Sequence, residues 1–385
     1  MKVMICSDLA SPYVGGAESY VIGLASRLAK KHEVCWLTSR LPKTKTRENF
    51  RGIKICRVPI FLPYHYLFPG RQTFPLASLL PAIKLARKMD ILQFDTFVAA
   101  TFGWFVAKFS NKPSVLFCHE MFNGLWKTMG QNWFEKNTYP QIEKYIANLP
   151  YDWFICPSEH SKRTLTRAGA KKERISVIPH GIDFNLFNKK NNGINLKKQF
   201  GLDGYKLVGF TGRLTVRGVG QSKNLIGLIK AMNYVIKEIP DAKLILGGTG
   251  FENLLPFVKK LRLEKYVTYL GSRSYEEVPN FLALCDVVAC PALAEGYCFL
   301  LAEAAACGKP LVATNLGAHP ERIINNKTGI LTNPNPRELA EGIIKLLDDT
   351  SLAKKLGNNG AKFAKNFSWD LSVKKHLEIY EMLLH

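Results

Sequence analysis

Short apolar runs alternate with longer stretches in which apolar side chains recur every three or four positions, from the first residues of the chain almost to its end. The opening run Lys2–Ser7 leads into a turn with Gly15-Gly16 and then a helical pattern through Val21, Leu24, Ala25 and Leu28. That order predicts strand, glycine turn and helix. Further strands are predicted at Val34–Thr38, Ile53–Val58, Ile91–Phe94, Ser114–Cys118, Trp153–Cys156 and Ile175–Ile178, several of them separated by helix-length segments. Between His180 and Gly204 the pattern lapses into Asn-, Lys- and Gly-rich sequence, as expected of a connection. It restarts with Lys206–Thr211, Ala242–Leu246, Val267–Leu270, Val287–Cys290, Pro310–Ala313 and Gly329–Leu331.

Strands fed one by one through helices pair in parallel, with helices on both faces, so the expected fold class is α/β. Two Rossmann-like, doubly wound domains facing each other across a cleft are expected. The predicted boundaries are residues 1–183, a linker at 184–204, residues 205–367, and a C-terminal helix in 368–385 that can pack on either domain, including back on the first. A length of 385 residues suits two domains of about 150–200 residues better than one core.

Composition narrows the classes. Hydrophobic residues make up 47% and charged ones 22%, which is the profile of a globular chain. The most apolar stretches, around Phe74–Leu85 and Phe94–Phe109, are broken by Pro81, Lys84 and Asp95, so no transmembrane span is expected. An acidic residue at Asp8 follows too few apolar ones for a signal-peptide core, and a cytoplasmic location is expected. The nine cysteines are dispersed without a C-x-x-C pair, which argues against a metal cluster or disulfide framework and for buried thiols. The formal charge is +22, with 26 Lys/Arg against 12 Asp/Glu in residues 1–180 alone. Such an excess favours anionic partners but does not choose among nucleic acid, phosphorylated substrates and an acidic membrane surface.

The most informative stretch is Ala294-Glu295-Gly296-Tyr297-Cys298-Phe299-Leu300-Leu301-Ala302-Glu303, running on to Cys307-Gly308-Lys309-Pro310. A strand and loop precede it, and Gly308 ends the helix it begins. The backbone amides of Gly296, Tyr297, Cys298 and Phe299 would then stand at a helix N-terminus, which favours a phosphate or a sugar hydroxyl. Eight fully helical steps would separate the Glu295 and Glu303 carboxylates by about 12 Å. That exceeds the ~5–10 Å of a glycosidase pair, and two grips on one extended ligand fit better.

Glu, seven residues, Glu in the setting E-G-Y-C-F-L-L-A-E closely resembles the donor-site signature of family-four retaining glycosyltransferases, which have the GT-B fold. The resemblance implies that Glu303 binds the donor ribose, that Glu295 contacts the donor sugar, and that the Gly296–Phe299 backbone completes the site. Gly212-Arg213-Leu214 resembles the segment whose arginine clamps the donor diphosphate. Relatives carry a lysine five residues later, where this chain has Gly218. The pattern resumes at Lys223, so Thr215–Ser222 reads as an insertion of about five residues with Lys223 as the second cation and Arg217 in reserve. Gly15 and Gly16, in Gly15-Gly16-Ala17-Glu18, resemble the family's G-G-x-E loop for the donor phosphates or the acceptor. His119 occupies the position of an active-site histidine near the reacting sugar. Ser158-Glu159 and His180-Gly181-Ile182-Asp183 are supporting signals, and Gly271-Ser272-Arg273 is expected beside the base.

The implied activity is metal-independent transfer of a hexose or N-acetylhexosamine, with retention, from a nucleoside diphosphate sugar to a hydroxyl. UDP-sugar and GDP-mannose both stay open as donor, no cofactor is expected, and no strand-end Asp-x-Asp offers a metal site. Phe61–Met89 and Phe122–Phe134 mix aromatic and apolar residues with Lys and Arg, which suits a surface that dips into a headgroup layer. The acceptor is therefore expected to be lipid-linked or a phospholipid, with the enzyme peripheral on the cytoplasmic face of an anionic membrane. No helix-turn-helix, zinc-ligand spacing or aromatic binding motif supports a nucleic-acid partner. The alternatives are a non-catalytic nucleotide-sugar-binding protein and an epimerase or phosphorylase on the same fold.

Overall fold

A computed structural model of the chain describes residues 1–10, 15–61, 73–129, 132–215 and 218–385. It divides into two units, one of residues 1–124, 138–181 and 369–385, the other of 125–137 and 182–368.

The first unit is built on an eight-stranded sheet: β1 (Lys2–Cys6), β2 (Glu33–Ser39), β3 (Arg47–Phe50), β4 (Ile53–Val58), β5 (Ile91–Asp95), β6 (Ser114–Phe117), β7 (Trp153–Cys156) and β8 (Ile175–Val177). The spatial order is β3-β4-β2-β1-β5-β6-β7-β8. All pairs are parallel except β3 with β4. The runs read from sequence form the parallel strands because burial on both faces favours apolar residues, as in Val115, Leu116 and Phe117 of the wholly buried β6. The antiparallel edge strand β3 was not predicted. Its sequence R-E-N-F is mostly polar and its exposure alternates, as an edge permits. Arg51 and Gly52, with φ of 53° and 84°, turn it back onto β4, the backbone that a two-residue hairpin requires.

The second unit carries six parallel strands: β9 (Lys206–Thr211), β10 (Ala242–Gly247), β11 (Val267–Tyr269), β12 (Val287–Cys290), β13 (Leu311–Thr314) and β14 (Ile330–Thr332). Their order is β11-β10-β9-β12-β13-β14. The direction of winding reverses between β9 and β12, so the loops leaving those two strands diverge to opposite faces and leave a crevice at their carboxyl ends. The segment read as a featureless connection includes a short helix, Ile194–Gln199, which packs on the helix Val278–Leu284.

The last helix, Trp369–Leu384, lies on the first helix, Gly16–Leu28, within the first unit. Trp369 is the anchor. A Cβ on Gly23 would come within 2.0 Å of its ring and one on Gly181 within 2.3 Å of its Cα. The bare glycines are what admit the indole, and the Arg27 guanidinium covers it at 5.2 Å. Among the described residues no helix is long and apolar enough to cross a membrane.

Candidate functional site

The crevice between β9 and β12 gathers most of the residues singled out in the second half. β9 ends in Thr211, and Gly212, at φ 145°, turns the chain so that Arg213 leaves the sheet as an exposed side chain. This loop is laced to the glycine-rich end of β10: the Gly212 amide donates to the Gly247 carbonyl (3.0 Å) and the Leu214 amide to that of Thr249 (2.7 Å). Gly247-Gly248-Thr249-Gly250 was missed in the sequence, although three glycines in four residues at a strand end are a standing signal for close backbone approach.

Residues Gly218–Lys223 form a 3-10 turn against which the short helix Trp126–Met129 packs, while Arg217 lies outside the described residues. Two hydrogen bonds dock the end of this turn on the loop after β12. The Leu293 amide donates to the Ser222 carbonyl (2.6 Å), and the Asn224 side chain donates to the Pro291 carbonyl (3.1 Å). Asn224 itself takes φ 50°, a left-handed conformation to which asparagine is better suited than most residues. The result is that Lys223 Nζ donates directly to Glu295 Oε1. An ammonium and a carboxylate 72 residues apart thus meet at the mouth of the crevice, both partly shielded from water.

Glu295 is fixed from beneath by the loop after β13. The Ala318 amide donates to the Glu295 carbonyl (2.9 Å), and Gly317, at φ 59°, lies so close that a Cβ there would sit 2.8 Å from the Glu295 nitrogen. Gly317 is a positioning residue that the sequence did not announce. The helix begins only at Phe299, with Cys298 at φ 67° before it, so Glu295 stands outside the helix and the eight steps to Glu303 are only partly helical. Gly296, Tyr297 and Cys298 are buried and Phe299 is half-buried. Tyr297 stacks under the buried Arg322 guanidinium (4.4 Å), which also covers Phe367 (4.3 Å).

Glu303, five residues into the helix, is 7% exposed, and no hydrogen bond from the described residues reaches its carboxyl group. Burial alone pushes its pKa up to about 8. A buried acid without a hydrogen-bond partner is costly to the fold. Arg273 bonds the Leu270 carbonyl and pairs with Glu277 at 3.5 Å.

The remaining predicted residues belong to the other unit. Gly15 and Gly16 open the first helix, and the Glu18 carboxylate reaches back to accept from the Gly15 amide (2.9 Å). Burial raises the Glu18 pKa, although the Gly15 bond and its own backbone amide pull the other way. His119 follows β6, and its Nε2 lies 3.5 Å from Oδ2 of Asp95 at the end of β5. Burial pushes the Asp95 carboxyl up, and His119 opposes the rise. Asp95, overlooked in the sequence, lies beside the imidazole as its nearest carboxylate. His119 also lies against the rings of Tyr20, Phe117 and His180. Ser158 caps the helix Glu159–Ala168 through the Ser161 amide, a structural task.

Dispersed cysteines argued for isolated thiols, yet the fold brings Cys290 and Cys298 within 3.5 Å of each other beside His319.

Residues 14–186 match the family model described as Glycosyltransferase Family 4, and residues 194–363 match that of glycosyl transferases group 1. An uncharacterised glycosyltransferase of Methanocaldococcus jannaschii is 33% identical over 211 residues, covering 54% of this chain and 57% of that relative. The D-inositol 3-phosphate glycosyltransferase of Corynebacterium glutamicum is 22% identical over 395 residues, covering 95% of this chain and 91% of its own. The crystal structure of Anabaena HepE in complex with UDP-glucose shares the fold, with a TM-score of 0.82, 23% identity, and coverage of 99% of this chain and 100% of that one.

Proposed function

Since the chain belongs to glycosyltransferase family 4 and has the GT-B fold, we propose that it transfers a hexose or N-acetylhexosamine, with retention, from a nucleoside diphosphate sugar to a hydroxyl acceptor. The observation that carries this reading is the pair of grips at one strand-end crevice: Lys223 against Glu295, and the unpartnered buried Glu303 on the helix that follows. A nucleoside diphosphate sugar offers matching groups, a ribose diol for Glu303, a diphosphate for Arg213, Lys223 and the backbone at Gly296–Phe299, and sugar hydroxyls for Glu295.

As the acceptor oxygen bonds to the anomeric carbon, the bond from that carbon to the diphosphate breaks, negative charge builds on the departing nucleotide, and its freed diphosphate oxygen takes up the hydroxyl proton. Arg213 and Lys223 are cations placed to stabilise that charge, and no metal takes part in the step. Glu295 holds Lys223 in place before the donor arrives, which removes part of the reorganisation otherwise needed. The roles that the family resemblance gives Gly15, Gly16 and His119 stand as part of this proposal. Uracil is the favoured base, because the structurally similar HepE was solved with UDP-glucose.

The acceptor side of the proposal is a lipid-linked or phospholipid hydroxyl. The helix Phe74–Ala86 exposes Leu76 and Leu80, at 73% and 69%, and packs beside the helix Ala100–Ser110, whose Phe109 is 54% exposed. Lys84, Arg87, Lys88, Lys108 and Lys112 lie on or next to these helices, the mixture that suits an anionic headgroup layer.

Thermal shift with UDP, GDP, ADP and their sugar conjugates, without metal, on the wild type and on Glu303→Ala tests the donor site. One nucleotide should stabilise the wild type and fail to stabilise the variant. Stabilisation by none of them would overturn the proposal.

A further inference from the structure

Beneath the loop that carries Glu295, three side chains that the transfer reaction does not use converge in the core of the second unit. Cys290 ends β12, Cys298 precedes the helix Phe299–Ala306, and His319 lies in the turn after β13; their exposures are 1%, 5% and 0%. Cys290 Sγ is 3.5 Å from Cys298 Sγ and 3.5 Å from His319 Nε2, and the three atoms all lie within 4.8 Å of one another.

Two features go beyond ordinary packing. His319 Nδ1 is 2.9 Å from the Thr314 carbonyl, which can only accept, so Nδ1 carries a hydrogen and Nε2, on the side of the two sulfurs, is the nitrogen whose lone pair a metal would take up. A backbone carbonyl fixing the far nitrogen is the arrangement that orients imidazoles as metal ligands. Cys298 also holds φ 67°, a conformation that glycine adopts freely and that strains a side-chain-bearing residue. The Cys298 side chain occupies this position in spite of that strain.

We propose that Cys290, Cys298 and His319 form a binding site for a soft d10 cation, Zn(II) or Cu(I), which ties the end of β12, the donor loop and the turn after β13 together. Two thiolates and one imidazole are the donor set that selects such ions over Mg(II) or Ca(II). In a dry core the two thiolate charges need a cation to balance them, and the ion supplies it. The ion is structural and has no part in group transfer. This inference is independent of the donor and acceptor proposed above.

The test uses the full chain, purified in reductant and stripped with a chelator, then titrated separately with Zn(II), with Co(II) as a spectroscopic stand-in, and with Cu(I) without oxygen. One equivalent of Zn(II) or Cu(I) should saturate the site and raise Tm by about 5 °C. Co(II) should give a thiolate-to-metal charge-transfer band that is absent in Cys290→Ala. Saturation by one ion alone supports the site and identifies its occupant. Should Cys290→Ala misfold, alkylation of the wild type mapped by mass spectrometry decides: bound metal should slow labelling of Cys290 and Cys298 by about tenfold or more and leave the other cysteines unchanged. No stoichiometric binding of either ion, a cobalt spectrum without the thiolate band, or unaltered binding by a folded Cys290→Ala overturns the proposal.

Discussion

Glu303 shows how one buried residue can cost stability. Its carboxyl ionises near pH 4.5 in the unfolded chain but only at about pH 8 in the fold. Between those values the unfolded state has released a proton that the folded state keeps, so stability falls as pH rises, and the penalty is complete above pH 8. Glu303→Gln removes it. At pH 8.5 the variant without ligand should melt about 5 °C above the wild type, with the difference fading toward pH 4.5, while donor affinity measured by calorimetry drops. A variant that melts lower at pH 8.5 would show that the carboxylate has a partner after all. At Gly317 the constraint is steric. A methyl group would meet the backbone of Glu295 and is strained by the positive φ as well. Gly317→Ala should therefore weaken donor binding by about tenfold, a loss of about 1.4 kcal/mol, through displacement of Glu295 and Lys223. Unchanged affinity would mean that the loop accommodates the methyl elsewhere.

Elements are joined in the first unit by a buried polar chain that no single segment predicts. The Tyr380 hydroxyl donates to Gln93 (2.6 Å), and Gln93 donates to the Tyr20 hydroxyl (3.3 Å). His376 Nδ1 donates to the Ser372 carbonyl (2.7 Å), which leaves Nε2 to accept from Tyr20 (2.8 Å). The last helix, the first helix and β5 thereby share one directional network. Burial pushes the His376 pKa down to about 4. In the unfolded chain the ring protonates near pH 6.5 and in the fold only near pH 4, so its contribution is whole above pH 6.5 and is lost as pH falls between those values. The loss amounts to roughly 3 kcal/mol. In urea melts across this window, His376→Gln should flatten the pH dependence of the wild type, and equal slopes would remove the assignment. Gly23→Leu should release the same helix by blocking Trp369, read as faster proteolysis within residues 369–385 than in the wild type.

For the whole molecule, a charge of +22 and the exposed Leu76, Leu80 and Phe109 make a joint prediction. Binding to vesicles rich in anionic lipid should weaken strongly between low and physiological salt. It should fall about tenfold or more in Leu76→Asp/Leu80→Asp, with nucleotide affinity intact. Binding to neutral vesicles equal to that on anionic ones would exclude the electrostatic part, and no binding at low salt would exclude the surface altogether.

The alternation of apolar runs and helical periods was enough to read the α/β class and every parallel strand, because strands covered by helices are predominantly apolar. Polar β3 lacked that constraint and went unseen. In the second half, the E-x7-E stretch drew attention to Glu295 and Glu303 because a helix start and an acid are both local features. Lys223 against Glu295, Asp95 beneath His119, Gly317 beneath Glu295 and the cluster of Cys290, Cys298 and His319 are different in kind. Each depends on which strands are neighbours and where the winding reverses, and periodicity carries no information about residues that meet only after the sheets have assembled.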